Sequence, residues 1–134
     1  MYIKKVLEYS YSYAEYIVSD GLNNLICMCT SVPLLNGKEP KENMKISNIF
    51  VFVYKDLLIQ KVENGEHYIK KNPNNYFGYE IQGTILDIKK ALMQVFGFKI
   101  SLEFEYPNGL PDVYCEGDFI KISVDRFDCE IENS

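Results

Sequence analysis

The stretch YEIQGTILDIKKALMQVFGFKISLEF (residues 79–104) supports two readings, and the choice between them decides the fold. As a helix, Ile85, Ile88, Leu92 and Phe96 form one apolar stripe, the run from Lys89 to Gln94 consists of good helix formers, and Gly97 supplies a stop. As strands, Tyr79, Ile81, Gly83 and Ile85 recur at every second position, and Phe96, Phe98, Ile100, Leu102 and Phe104 alternate strictly. We read a long hairpin, with residues 85–96 as the one place where a short helix competes.

The flanking sequence points the same way. Between Val6 and Val18, Leu7, Tyr9, Tyr11 and Tyr13 alternate with Glu8, Ser10 and Ser12, the period of a half-buried strand, with a bulge or bend near Ala14 where the phase changes. Ser19-Asp20-Gly21 and Asn23-Asn24 make a turn cluster, because Gly and Asn tolerate positive φ, and a second strand from Leu25 to Val32 completes a hairpin. Pro33 to Asn43 is a polar connection. Met44 to Val62 carries the run Ile49-Phe50-Val51-Phe52-Val53-Tyr54, a strand buried in part on both faces, with a turn at Lys55-Asp56 and a return strand from Leu57. Glu63 to Gly78 is the longest loop-like stretch. After Pro107-Asn108-Gly109 and Pro111, the last strand runs from Asp118 to Cys129. No repeat or linker interrupts residues 1–134, so the expectation is a single, mainly β domain, a small OB-like partly open barrel with at most one short helix. Its core should include Ile26, Met28, Val51, Val53, Ile100, Leu102, Ile120 and Ile122, each in the apolar phase of its strand.

Composition bounds the function. The 134 residues are 47% hydrophobic and 25% charged, with eleven Tyr, eight Phe and no Trp, ordinary globular material tilted towards strands. No apolar run approaches the roughly 20 residues of a spanning helix. Met1 to Glu8 lacks an apolar signal-peptide region, which points to the cytoplasm, and thirteen Lys against one Arg, with many Ile and Asn, suggest the AT-rich codons of a low-GC bacterium. The net charge is −5, unfavourable for unspecific binding to a phosphate backbone. It is also uneven, since residues 1–98 hold eleven basic and ten acidic side chains and residues 99–134 hold three and nine.

Catalytic constellations are missing from the sequence. His67 is the only histidine, in a polar loop without a motif-grade nucleophile near it. Glu103, Glu105, Asp112, Glu116 and Asp118 are numerous enough for acid/base chemistry, but Glu103 and Glu105 alternate with Leu102 and Phe104 as on any half-exposed strand. The phosphate-cradling, dinucleotide and metalloprotease motifs do not occur. Cys27 and Cys29 stand too close in one strand for a zinc knuckle, so with Cys115 and Cys129 they are expected as unbridged, metal-free thiols. Hence no catalytic residue, metal or cofactor is expected.

Tyr13-Ala-Glu-Tyr-Ile-Val-Ser-Asp-Gly21 and Glu116-Gly-Asp-Phe-Ile-Lys-Ile-Ser-Val-Asp-Arg-Phe-Asp128 resemble segments of small bacterial OB-fold-like proteins of unassigned function, over about one sixth of the chain. The resemblance implies a fold and no activity. The functional expectation is a non-enzymatic binding module for a macromolecule, a protein first, with single-stranded nucleic acid or inhibition of a basic toxin in an immunity-like role as alternatives. Its surface would combine Tyr9, Tyr11 and Tyr13 with His67, Tyr68, Lys70, Lys71 and Tyr76, rings and cations of the type that interfaces and single strands use.

Overall fold

A computed structural model describes residues 1–10, 13–29, 39–63 and 65–132. Among them are eleven strands and no helix: β1 (Tyr2–Tyr9), β2 (Ala14–Ser19), β3 (Asn24–Cys29), β4 (Ile46–Phe52), β5 (Ile59–Val62), β6 (Tyr68–Lys71), β7 (Tyr79–Asp87), β8 (Leu92–Val95), β9 (Phe98–Ser101), β10 (Phe119–Val124) and β11 (Arg126–Ile131). The mainly β expectation therefore holds. All belong to one mixed sheet in the order β1-β2-β3-β11-β4-β9-β8-β7-β10-β5, with β6 also on β7, and the sheet is not closed into a barrel. The joins β3–β11 and β4–β9 are parallel, and the rest are antiparallel. Among the described residues no helix is long and apolar enough to cross a membrane.

The deciding stretch forms strands as far as Ser101. Met93, Val95, Phe98 and Ile100 enter the core beside Ile81 and Ile85, so inward alternation outweighs the helix propensity of Lys89, Lys90 and Ala91. Those three residues make the turn between β7 and β8, where Lys90 donates its N–H to Asp87 Oδ1 and Ala91 adopts φ 51°. Gly83 is required on β7, because a Cβ there would run into the Gln94 carbonyl and the Val95 side chain.

Several boundaries differ from the sequence reading. Val6–Val18 is two strands, since the chain reverses between β1 and β2 with Ser10 donating both N–H and Oγ–H to the Tyr13 carbonyl. β3 ends at Cys29, and residues 30–32 lie outside the described residues. Its phase is also reversed: Leu25, Cys27 and Cys29 are buried, whereas Ile26 and Met28 are half-buried on the opposite face. Leu57–Val62 does not return along β4, whose two edges are taken by β11 and β9; β5 pairs with β10 instead. The loop-like stretch from Glu63 contains β6. Leu102 leaves the sheet while remaining buried, and Phe104 lies in a turn. Val51, Ile100, Ile120 and Ile122 are buried as expected, and Val53 is half-buried.

The last strand is divided at Asp125, and this corner lets one segment serve two regions of the sheet. β10 lies between β7 and β5, and β11 between β3 and β4. Asp125 donates its N–H to Phe52 O (3.0 Å), accepts the Tyr54 N–H on Oδ2 (2.7 Å), and accepts Asn75 Nδ2 on its carbonyl (3.1 Å). Across the fork, Tyr79 of β7 packs on Phe127 with ring centroids 5.5 Å apart, and its hydroxyl accepts the Ile26 N–H of β3 (2.9 Å). The sheet thus curls until strands separated by four others in its order meet. Tyr79→Phe keeps the ring and strands that N–H, so urea unfolding should show a loss of about 1–2 kcal/mol. Tyr68→Phe, which loses only a partly exposed hydroxyl contact with Glu80, should cost less.

Candidate functional site

The residues singled out in the sequence are dispersed by the fold. Tyr9 ends β1 and is half-exposed and Tyr13 precedes β2, so these two do not share a strand; Tyr11 lies outside the described residues. Lys70 and Lys71 are successive residues of β6 and point to opposite faces. Lys70 sits opposite Glu80 in the β6–β7 register, on a face shared with Tyr68, Gln82, Lys121 and Gln60. The Tyr68 hydroxyl donates to Glu80 Oε2 (2.9 Å), and burial together with that carboxylate pushes its pKa up to about 12. Lys71 instead organises the next turn: its ammonium donates to the carbonyls of Asn72, Asn75 and Gly78 and lies over the rings of Tyr79 and Tyr76. Burial lowers its pKa. Tyr76 remains exposed.

His67 is a structural clamp rather than an exposed loop histidine. Its Nδ1 accepts the Phe96 N–H (2.8 Å), which leaves the proton on Nε2 to be donated to Thr84 Oγ1 (2.6 Å). Phe96, at the β8–β9 turn, holds φ 51°, a conformation unfavourable for a bulky side chain. The next N–H, of Gly97, donates to Asp20 Oδ2 (2.9 Å) from the β2–β3 turn. Burial of the Asp20 carboxyl works upward on its pKa, and the N–H groups of Asn23, Leu22 and Gly97 outweigh it, leaving the carboxyl more acidic than usual.

The sequence reading missed a run of aromatic rings along β4 and the Phe104 turn. Phe50 and Phe52 lie at alternate positions of β4 on the face opposite Ile49 and Val51, Phe50 buried and Phe52 half-buried, and Tyr54 continues the spacing just beyond the strand. On β11, Asp128 stands opposite Phe50 and Arg126 opposite Phe52. Phe104 stacks on Phe50 with centroids 4.8 Å apart and planes at 23°, and Phe52 meets Tyr54 edge-on at 5.2 Å. The Arg126 guanidinium lies 4.0 Å over the Phe52 ring and is held by Asp128 through Nε (2.8 Å) and Nη2 (3.3 Å). Phe104 is 58% exposed and Tyr54 75% exposed. The signal was present in the sequence as an alternation of ring size rather than of polarity: aromatic at 50, 52 and 54, aliphatic at 49, 51 and 53.

Carboxylates border this strip. Glu103 and Glu105 flank Phe104 in its turn, Asp125 and Asp128 lie beside Tyr54 and Phe50, and Glu130 accepts Asn48 Nδ2 at the far end. Glu103 and Glu105 are therefore turn residues, not the strand pair anticipated. Asp118 pairs with Lys61 at 3.2 Å and accepts the Cys115 N–H. Cys27, Cys29 and Cys129 meet in the core beside the Tyr16 hydroxyl, and the hydrogen bond of the Cys129 thiol to Cys27, together with burial, raises the Cys129 thiol pKa; Cys115 is exposed. Among the described residues no group of three or more His, Cys, Asp or Glu side chains could hold a metal ion. No protein family, curated protein or solved structure matches the chain, so the reading of these surfaces rests on their own geometry.

Burial lowers the His67 pKa, so the fold favours the neutral ring. Its contribution to stability is complete above the unfolded value of about 6.5 and is lost as pH falls below it. Urea midpoints of the native chain should therefore drop between about pH 7 and about pH 5, and His67→Gln, which does not titrate, should flatten that part of the profile. Parallel profiles for the two proteins would show that the imidazole does not bear the turn.

Proposed function

We propose that the chain is a non-enzymatic binding module whose partner is a protein, docked on the aromatic strip of β4 and the Phe104 turn. The observation that carries this reading is a run of rings on the β4 face away from the core, in which Phe104 covers Phe50, Phe52 is half-buried and Tyr54 and Phe104 stand exposed, where a strand open to water ordinarily places polar side chains. Aromatic residues with an arginine among them are also the composition that interface centres favour. The acidic border supports a basic partner and, more narrowly, an immunity-like inhibitor role in which charge speeds association. A cytoplasmic setting fits unbridged thiols.

A second reading, single-stranded nucleic acid, is favoured by the gathering of Tyr68, Lys70 and Lys121 on the β6–β7–β10 face and by the OB-like resemblance. The net charge of −5 and the presence of Glu80 among those lysines oppose it.

Immobilised chain incubated with extract of its own cells separates the two. Phe104→Ala combined with Tyr54→Ala should release the captured protein, while Lys70→Glu with Lys121→Glu should retain it. The opposite pattern, with nuclease-sensitive capture, would move the function to the nucleic-acid face.

A further inference from the structure

We infer that the strip recognises guanidinium groups, so that the partner presents an arginine-bearing segment to it; this rests on the binding-module reading above. The argument starts from Arg126, which supplies the pattern inside the molecule. Its guanidinium lies over one ring of the strip, Phe52, and is gripped edge-on by the neighbouring carboxylate of Asp128. A planar, weakly hydrated cation is suited to this combination, because its face stacks on an aromatic ring while its edge donates to a carboxylate.

On either side of Arg126 the strip carries a further ring with carboxylates next to it in the chain or bonded to its backbone, and without a cation over it. Phe104 is flanked in sequence by Glu103 and Glu105, and Tyr54 is followed by Lys55 and Asp56 and linked through its N–H to Asp125. Among the described residues no cation lies over the ring of Phe104 or Tyr54, and no ion pair involves Glu103, Glu105 or Asp56. Phe104 and Tyr54 are also the most exposed rings of the strip, at 58% and 75%. Their backing is ordered: Phe104 rests on Phe50, and Tyr54 on the edge of Phe52. Two exposed rings with acidic neighbours in the chain therefore flank the ring that Arg126 occupies, and the charge that would complement them is positive. A segment carrying arginines at both would lay its chain across β4 and β11.

The test titrates the purified chain with a short oligo-arginine peptide, an oligo-lysine peptide of equal length, and a neutral cello-oligosaccharide, following the aromatic resonances by NMR. Oligo-arginine should shift Phe104 and Tyr54, bind more tightly than oligo-lysine, and weaken as salt is raised. Phe104→Ala with Tyr54→Ala should weaken it by about tenfold, on the order expected for losing two partly exposed cation–π contacts. Glu103→Gln with Glu105→Gln should weaken it as well, while Glu39→Gln with Glu42→Gln, carboxylates outside the strip, should not. Thermal melts of each variant establish that the fold persists. Equal affinity for both cationic peptides, or equal losses from the two pairs of carboxylate changes, would reduce the effect to net charge and overturn the inference. Binding of the oligosaccharide at the same rings would also overturn it, in favour of a sugar platform. If the Phe104 and Tyr54 variant still loses the protein captured from extract while oligo-arginine binding is unaffected, the guanidinium specificity fails and the binding-module reading stands.

Discussion

The architecture depends on the bend at Asp125. In the sheet order β11 joins the β1–β2–β3 meander to the other strands, beside the bridge from Tyr2 of β1 to Lys45 ahead of β4, and it reaches that position because the chain leaves β10 and turns at a single residue. A backbone that turns so abruptly between two ladders has polar groups to satisfy at the corner. Asp125 satisfies them with its N–H on Phe52, its carbonyl under Asn75 and its carboxylate on the Tyr54 N–H. The last contact also fixes where the chain leaves β4, so the corner that connects the sheet positions the outermost ring of the strip.

A second set of constraints holds the opposite hairpin tips. The β8–β9 turn places Phe96 at positive φ, which costs on the order of 1 kcal/mol or more for a residue of its size. Two side chains from distant parts of the chain accept the turn's N–H groups, His67 from before β6 and Asp20 from the β2–β3 turn. The strained tip is thereby a junction, tying the first hairpin to the second half of the sheet at a place where no strand pairs with strand. Lys71 does comparable work at the β6–β7 turn by gathering three carbonyls.

What the sequence revealed follows from what periodicity can encode. The alternation of Phe98 and Ile100, and the spaced apolar residues of β7, were legible because one face is buried and the neighbouring residues differ in character, whereas Phe96, read in the same alternation, is an exposed turn residue. The phase of β3 was not, because Leu25-Ile26-Cys27-Met28-Cys29 is apolar on both sides and only the packed structure distinguishes them. Pairing was the least legible. Leu57–Val62 reads as the partner of β4, but a strand with both edges occupied by β11 and β9 has no place for it, and those neighbours come from far along the chain. The candidate site suffered in the same way. Lys70 and Lys71 are adjacent in sequence and opposite in the sheet, whereas Phe50 and Phe104, more than fifty positions apart, stack.

The concentration of acid in residues 99–134 acquires a spatial meaning through the same topology. The Phe104 turn, the Asp125 corner and β11 all come from that acidic third, and all three border β4, so a bias along the chain becomes a bias around one face. The two ingredients of that face act at different ranges. Carboxylate fields extend over about 8 Å at physiological ionic strength and govern approach, whereas ring stacking acts only in contact and governs how long a bound group remains. Arg126 occupies the middle of the face and repels a second cation from Phe52, which divides the strip into its two ends. A partner reading this surface would therefore be selected by the spacing of its charges across β4 as much as by their number.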